Sequence, residues 1–373
     1  MRLRRVVKVF GFLIGALVVM VLIAAAVSAD VRFVLRAGYE EGRLLLRRRD
    51  LQGLIANPQT PEALRSRFRL VLAARAYGAD SLGLKVGTTY TTYVNVGRDT
   101  LVLVMSASPR YQLRDYLWRF PIVGAVPYHG YFSLDASRKD AERLEQRGFD
   151  TYVRPAGAFS TLGWFGDPLF STALSRDSGS LAETVLHEVT HNTIWVRSSA
   201  AFNESLAMFV GYRGAERFFR SRGETQIAQK LADYWDDEKV LDQFYQSLAA
   251  SLDSVYRSGK DQKTMDAGRD TVFRRARERI GGPLRKQVKR YPVDWLLQQP
   301  LNNAAVLAAR VYRTRLALFD SVLAMKNGDL PGSVRAIVEA EKDQRGDPYT
   351  VVAALLPTAS ATPRAGGSPP GGR

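Results

Sequence analysis

The chain has 373 residues, 46% of them apolar, with 53 Lys and Arg against 37 Asp and Glu and no cysteine. That length buries one large core or two ordinary ones, and 24% charged with 10% aromatic residues excludes wholesale disorder. The missing cysteine excludes a disulfide framework, a thiolate metal site, a cysteine nucleophile and lipid attachment through cysteine. The net charge of +16 rests on 42 Arg and only 11 Lys, without the aromatic or Gly-rich signatures of RNA-binding modules, so it implies no nucleic-acid partner.

In chain order, Arg2, Arg4, Arg5 and Lys8 precede 19 uncharged, mostly apolar residues from Val9 to Val27. About 20 such residues cross a bilayer as a helix, and the basic flank keeps the N-terminus in the cytoplasm. The reading is an inner-membrane anchor over 9–27 with the body in the periplasm. The alternative is a signal peptide cleaved near Ala29, but the run exceeds the roughly 7–15 residues of a signal core, which favours the anchor. Amphipathic stretches follow at 36–55 and 61–77, the second with Thr60 as expected N-cap. The β-rich runs 88–96 and 100–106, split by Gly97-Arg98-Asp99, predict a hairpin. Short runs at 122–126 and 128–132 flank Pro127, and a helix is predicted over 134–147, ending at Gly148. Beyond about 180 the pattern is helical, with candidates at 180–195, 201–211, 224–257, 269–280 and 301–325. Residues 357–373 are a Pro/Gly/Ser/Ala tail with no reason to fold. The fold expected is α+β and predominantly helical: segment 1–29, then one body over 30–356, β-containing at about 80–160 and helical at about 178–345.

The sharpest chemical signal is His187-Glu188-Val189-Thr190-His191. Two His four residues apart on a helix reach one ion, and Glu188 between them takes a proton from a metal-bound water. Ser180 and Glu183 form the S-x-x-E pattern of a capping box that starts this helix just before Leu181. A catalytic Zn2+ takes three protein ligands and keeps one position open. With no further His downstream and no Cys, a carboxylate must serve, and Glu204 in the apolar segment Phe202–Val210 is assigned. The implied chemistry is hydrolysis of a peptide bond by a metal-activated water, with Glu188 as general base. A donor to the developing oxyanion is still needed, and the candidates are Tyr131, His129 and Tyr312.

These residues resemble a family of predicted bacterial zinc aminopeptidases of the gluzincin type. Phe159–Pro168 is similar to its STLGWF-x-DP block, Phe120–Gly124 and Tyr128–Phe132 to its FP-x-x-G and GYF blocks, Phe202-Asn203-Glu204 to its FNE, and Asn303-Ala304 with Tyr312 and Phe319 to its C-terminal helix. The resemblance covers about 37–340 and implies a zincin-like metallopeptidase core, His187, His191 and Glu204 as ligands, Glu188 as base, and a peptide substrate. Three departures stand out. The family's lipid-attachment Cys is absent, Asn192 stands where it usually has Gln, and Ser199 where it has an Asp four residues before the Asn-Glu pair. If that Asp orients a ligand His, metal affinity is what changes. The amine-binding Gly-x-Met-Glu-Asn motif of the best-known gluzincin aminopeptidases is also missing, and Asp167 is either a substitute amine anchor or a turn cap before Pro168. Trp164 and Phe165 line a specificity pocket or simply pack. Two other readings are carried: an envelope-directed endopeptidase on the same site, and a non-catalytic binding protein on a metallopeptidase scaffold, which the intact Glu188 disfavours.

Of the net charge, +6 falls between Asp270 and Arg290. Val272, Phe273, Ala276 and Ile280 at helical spacing make this a basic amphipathic helix, whose partner on an exported protein is anionic lipid or envelope polymer, unless it is simply a solvated Arg-rich face.

Overall fold

The computed structural model describes residues 46–357 apart from 99, 101, 121–123, 157–165, 175 and 260, together with scattered positions between 11 and 43. The described positions of 9–27 are helical and exposed, the others lie outside the described residues, and so does the tail from 358. Among the described residues no helix is long and apolar enough to cross a membrane.

Helices dominate, as the 3.6-residue patterning predicts. They are α1 (Leu51–Ala56), α2 (Glu62–Asp80), α3 (Leu134–Glu145), α4 (Ser178–Thr193), α5 (Ala200–Ser221), α6 (Thr225–Tyr256), α7 (Gln262–Arg279), α8 (Val293–Gln298), α9 (Asn303–Tyr312), α10 (Leu316–Met325), α11 (Leu330–Glu341) and α12 (Pro348–Ala353). The main core lies between α2, α4, α5 and α6, where Phe68, Val71, Leu186, Val189, Phe202, Phe209, Phe219 and Trp235 are almost wholly buried. A second core joins α6 to α7 and α8 through Leu241, Phe244, Leu252, Ile280 and Leu296.

The strands form three small sheets. β1 (Arg49–Asp50) pairs antiparallel with β2 (Thr92–Val94), which pairs parallel with β8 (Leu169–Phe170). β6 (His129–Tyr131) and β7 (Phe149–Ala156) flank β3 (Val102–Pro109), both antiparallel, and β4 (Trp118–Phe120) pairs with β5 (Gly124–Val126). The predicted 88–106 hairpin does not form, because its two runs join different sheets: β2 pairs with β1 and β8, and β3 with β6 and β7. A β-branched run advertises a strand but not its partner.

The β6-β3-β7 sheet separates two environments by strand alternation. Met105, Ala107 and Tyr131, with Leu103 and Val153, face the underside of α3. Val102, Val104, Gly130, Tyr152 and Arg154 face the opposite side and line the large cavity described below.

Several boundaries differ from the sequence reading. α3 starts where predicted and ends at Glu145, two residues before the expected 147, with Gly148 at φ +80 in the turn that follows. Pro61, rather than Thr60, occupies the N-cap of α2. The single helix expected over 301–325 is two, broken at Arg313–Arg315 with no Pro or Gly to announce it. There Ser205 Oγ accepts the Thr314 amide at 3.2 Å, Asp242 accepts the Leu316 amide at 2.9 Å, and Arg315 is held at φ +54. Long-range acceptors stop this helix, and local sequence does not record them.

The basic segment 270–290 is also corrected. Ala276 and Ile280 are buried and Val272 and Phe273 pack beside them, so the apolar face expected to meet lipid is turned into the second core. Its cations are engaged as well: Arg274 with Glu278, Arg285 with Asp294, Arg290 with Asp233, and Arg277 with the carbonyls of Leu297 and Gln299.

Candidate metal centre

Helix α4 begins at Asp177, whose carboxylate accepts the Ser180 amide at 3.0 Å. The cap therefore lies three residues before the position expected from Ser180 and Glu183. This releases Glu183 from capping, and its carboxylate instead faces the next turn, 3.9 Å from His187 Nδ1. Leu181, Val185, Leu186 and Val189 bury the remaining faces of α4.

The second element is α5, which lies unusually close to α4. A Cβ on Gly211 would stand 2.9 Å from Glu183 Oε1, 3.0 Å from the Glu183 carbonyl and 3.3 Å from His187 Cβ, so only glycine permits this approach. The loop between the helices is fixed by Asn203. Its side chain accepts the Val196 amide and donates to the Val196 carbonyl, both at 2.8 Å. The neighbouring residue, Glu204, is thereby delivered to the two histidines.

His187 Nε2 lies 3.2 Å and His191 Nε2 3.7 Å from Glu204 Oε2. All three donor atoms fall within 4.8 Å of one another, and the three residues are buried, so they are able to hold a metal ion. Burial pushes the Glu204 carboxyl up, but His191 and His187 outweigh it and hold it well below the usual carboxylate range. For His187, burial acts downward, yet Glu204, Glu188 and Glu183 raise it to about 9. Two imidazole nitrogens and a carboxylate converging on one point suit zinc chemically. Among the described residues His191 Nδ1 is buried without a hydrogen-bond partner, and Ser199 stands where the resemblance places an Asp.

Glu188 projects beside the triad into a cavity of about 880 Å³, the size of a small-ligand site. Burial raises its carboxyl, His187 and His191 lower it, and the charges of Glu204 and Asp167 raise it further; the balance is upward. A carboxyl raised in this way suits a group that takes up and returns a proton.

Of the other predicted residues, Tyr312 is at the cavity wall, its ring centroid 6.5 Å from that of His187. Asp167 is buried next to Tyr90, which donates its amide to the Asp167 carbonyl at 2.8 Å. Burial raises the Tyr90 phenol, as do the charges of Glu188, Asp167 and Glu183, with Arg176 opposing them; neither Tyr90 nor Asp167 is among the residues that line the cavity. Residues 157–165, including Trp164 and Phe165, lie outside the described residues. His129 and Tyr131 do not line the cavity. Alternation along β6 turns them to the other face, where the Tyr131 hydroxyl donates to Asp140 at 2.9 Å and the His129 ring lies tilted against Trp118 and Tyr131.

Sequence reasoning missed the residues that occupy the facing positions. Tyr128 lines the cavity where His129 and Tyr131 do not, and burial followed by the Glu204 charge raises its phenol well above the ordinary value. Arg154 enters from β7 and donates to the Tyr312 hydroxyl at 3.4 Å. Trp195 packs edge-on against His191 at 5.5 Å. The only available signal for Tyr128 was the parity of a three-residue strand, which the motif itself does not carry.

No curated protein and no solved structure matches the chain. A family model does, over residues 32–347, a span that holds the convergent His187, His191 and Glu204, the cavity and both cores. The chain thus belongs to the family described as "Putative aminopeptidase".

Proposed function

We propose that the protein is a zinc-dependent aminopeptidase, with His187, His191 and Glu204 holding the metal and Glu188 as general base. The observation that carries this reading is the convergence of the three donors within 4.8 Å, on the wall of a cavity that Glu188 also lines. When bound, zinc acts as a Lewis acid that acidifies water and polarises the scissile carbonyl. Glu188 takes the water's proton and passes it to the leaving amine. Tyr312 and Tyr128 have phenols kept protonated by burial, and their hydroxyls donate to the carbonyl oxygen as negative charge develops there. Glu183, which lines the cavity one helical turn before His187, is the carboxylate suited to the substrate's ammonium group. The basic and apolar N-terminal sequence, Arg2 to Val27, supports an exported body tethered to the inner membrane.

The test combines elemental analysis of the purified full chain with peptide hydrolysis. One zinc per chain is expected, with faster cleavage of a peptide bearing a free N-terminus than of its acetylated form. Equal rates on the two would move the assignment to an endopeptidase. Zinc far below one per chain, with both histidines intact, would overturn the site.

A further inference from the structure

The cavity wall is electrically uneven. On one side Glu183 and Glu188 line it from α4, with the exposed Arg176 beside them. On the other, the sheet face offers Val102, Val104, Gly130 and Ala156, an apolar floor from which one cation rises, Arg154. Removing a guanidinium from bulk water is costly unless an anion meets it. The other arginines of this cavity have evident tasks or solvent. Arg313 pairs with both oxygens of Glu238, Arg277 binds the carbonyls of Leu297 and Gln299, and Arg176 is exposed. Arg154 has no carboxylate partner among the described residues. It donates to the Tyr312 hydroxyl at 3.4 Å and lies 5.3 Å from the centroid of that ring, and the charge of Glu204 reaches it through the cavity.

We propose that Arg154 anchors a carboxylate of the substrate on the leaving-group side of the scissile bond, so that the preferred substrates are short peptides. This rests on the peptidase reading of the metal centre. A peptide whose ammonium lies at Glu183 and whose first bond lies at the triad extends toward Arg154. Tyr245, Tyr291 and Arg313 wall the cavity beyond the triad. The carboxylate is either the peptide's own C-terminus or an acidic side chain following the scissile bond, since a guanidinium fork recognises both alike.

The test uses the full-length, zinc-loaded chain and three peptides: tri-alanine, its C-terminal amide, and an amide with Glu after the first bond. Hydrolysis and calorimetric binding are measured in parallel for wild type, Arg154→Met and Arg154→Lys. Wild type is expected to favour tri-alanine over its amide by about 10- to 100-fold in kcat/KM, mainly through KM, with a matching difference in binding. Arg154→Met brings the acid-to-amide ratio to about 1, and Arg154→Lys retains part of it because charge survives while the fork is lost. Rescue of the amide by Glu assigns the site to an acidic side chain, and no rescue assigns it to the terminus. Hydrolysis of all three peptides at equal rates, with equal binding, overturns the anchor and leaves the peptidase standing. Binding that favours the acid in the absence of any hydrolysis keeps the anchor and overturns the peptidase. Wild-type selectivity needs no variant, so a misfolded substitution leaves that comparison intact.

Discussion

His187 Nε2 and Glu204 Oε2 stand 3.2 Å apart across the contact between α4 and α5, although 17 residues separate them in the chain. Two buried helices present opposite charges to each other at that point, and a divalent cation between them would satisfy both imidazoles and the carboxylate. Glu204→Gln keeps the shape but removes the charge. It is expected to lower zinc affinity at least 10-fold, read by elemental analysis after dialysis against a graded series of chelator concentrations. Full retention of zinc would remove Glu204 from the ligand set.

The metal-free chain carries a pH signature. His187 titrates at about 9 when folded, above the ordinary 6.5. A raised folded value means that its stabilising contribution is complete below about 6.5 and is lost as pH rises through 9. Glu204 is depressed, so its contribution is present above about 4.5 and is lost as pH falls through its lowered value. Thermal melts of the chelated protein should therefore show this pair's support between those limits and a decline toward alkaline pH. Zinc must displace the His187 proton, so its apparent affinity should climb with pH up to about 9, measured by competition with a chromophoric chelator. An affinity flat in pH would contradict the coupling.

Glu188→Gln separates proton transfer from metal binding. Its loss is expected to lower kcat about 10²- to 10⁴-fold while zinc stays at one per chain. Activity surviving in the zinc-loaded variant would rule out the proposed base.

Tyr312→Phe and Tyr128→Phe test the oxyanion donors. The residue that donates to the developing charge should cost about 10²- to 10³-fold in kcat with KM little changed. If both variants keep wild-type kcat, the donor lies elsewhere.

A structural prediction concerns Asp150, a buried carboxylate that accepts from Arg269 and, at 2.9 Å, from the Asn303 amide at the start of α9. Arg269 is 5% exposed. Asp150→Ala leaves that guanidinium buried and unpaired, a cost of about 3–5 kcal/mol. This corresponds to a drop of roughly 10 °C in Tm by calorimetry. Because α9 carries Tyr312, activity should fall well below the melting transition too.

The convergence of His187, His191 and Glu204 was readable because it is mostly local. His187 and His191 share a helix face by spacing alone, and Glu204 stood out as a carboxylate in the apolar segment Phe202–Val210. The helices from 178 to 279 were readable in kind for the same reason, although α5 runs ten residues past the expected 211 and α7 begins at Gln262 rather than 269. What escaped depended on partners distant in sequence. The break before α10 is set by Ser205 and Asp242, the sheet membership of β2 and β3 by strand partners distant in the chain (Tyr93 pairs with Leu169), and the exposure of Tyr128 over His129 by the parity of β6. Arg154 looked like one arginine among 42, and only the fold shows that it has no carboxylate partner among the described residues.

The clasp formed by Asn203 gives the centre a mechanical property. Asn203 grips Val196 and its successor, Glu204, reaches the histidines, so loop and ligand are adjacent links of one rigid helix. Neither can move without the other. With a metal held as proposed, fraying of residues 194–199 and escape of the ion would be a single event. Amide exchange at Val196 would serve as a clock for metal release.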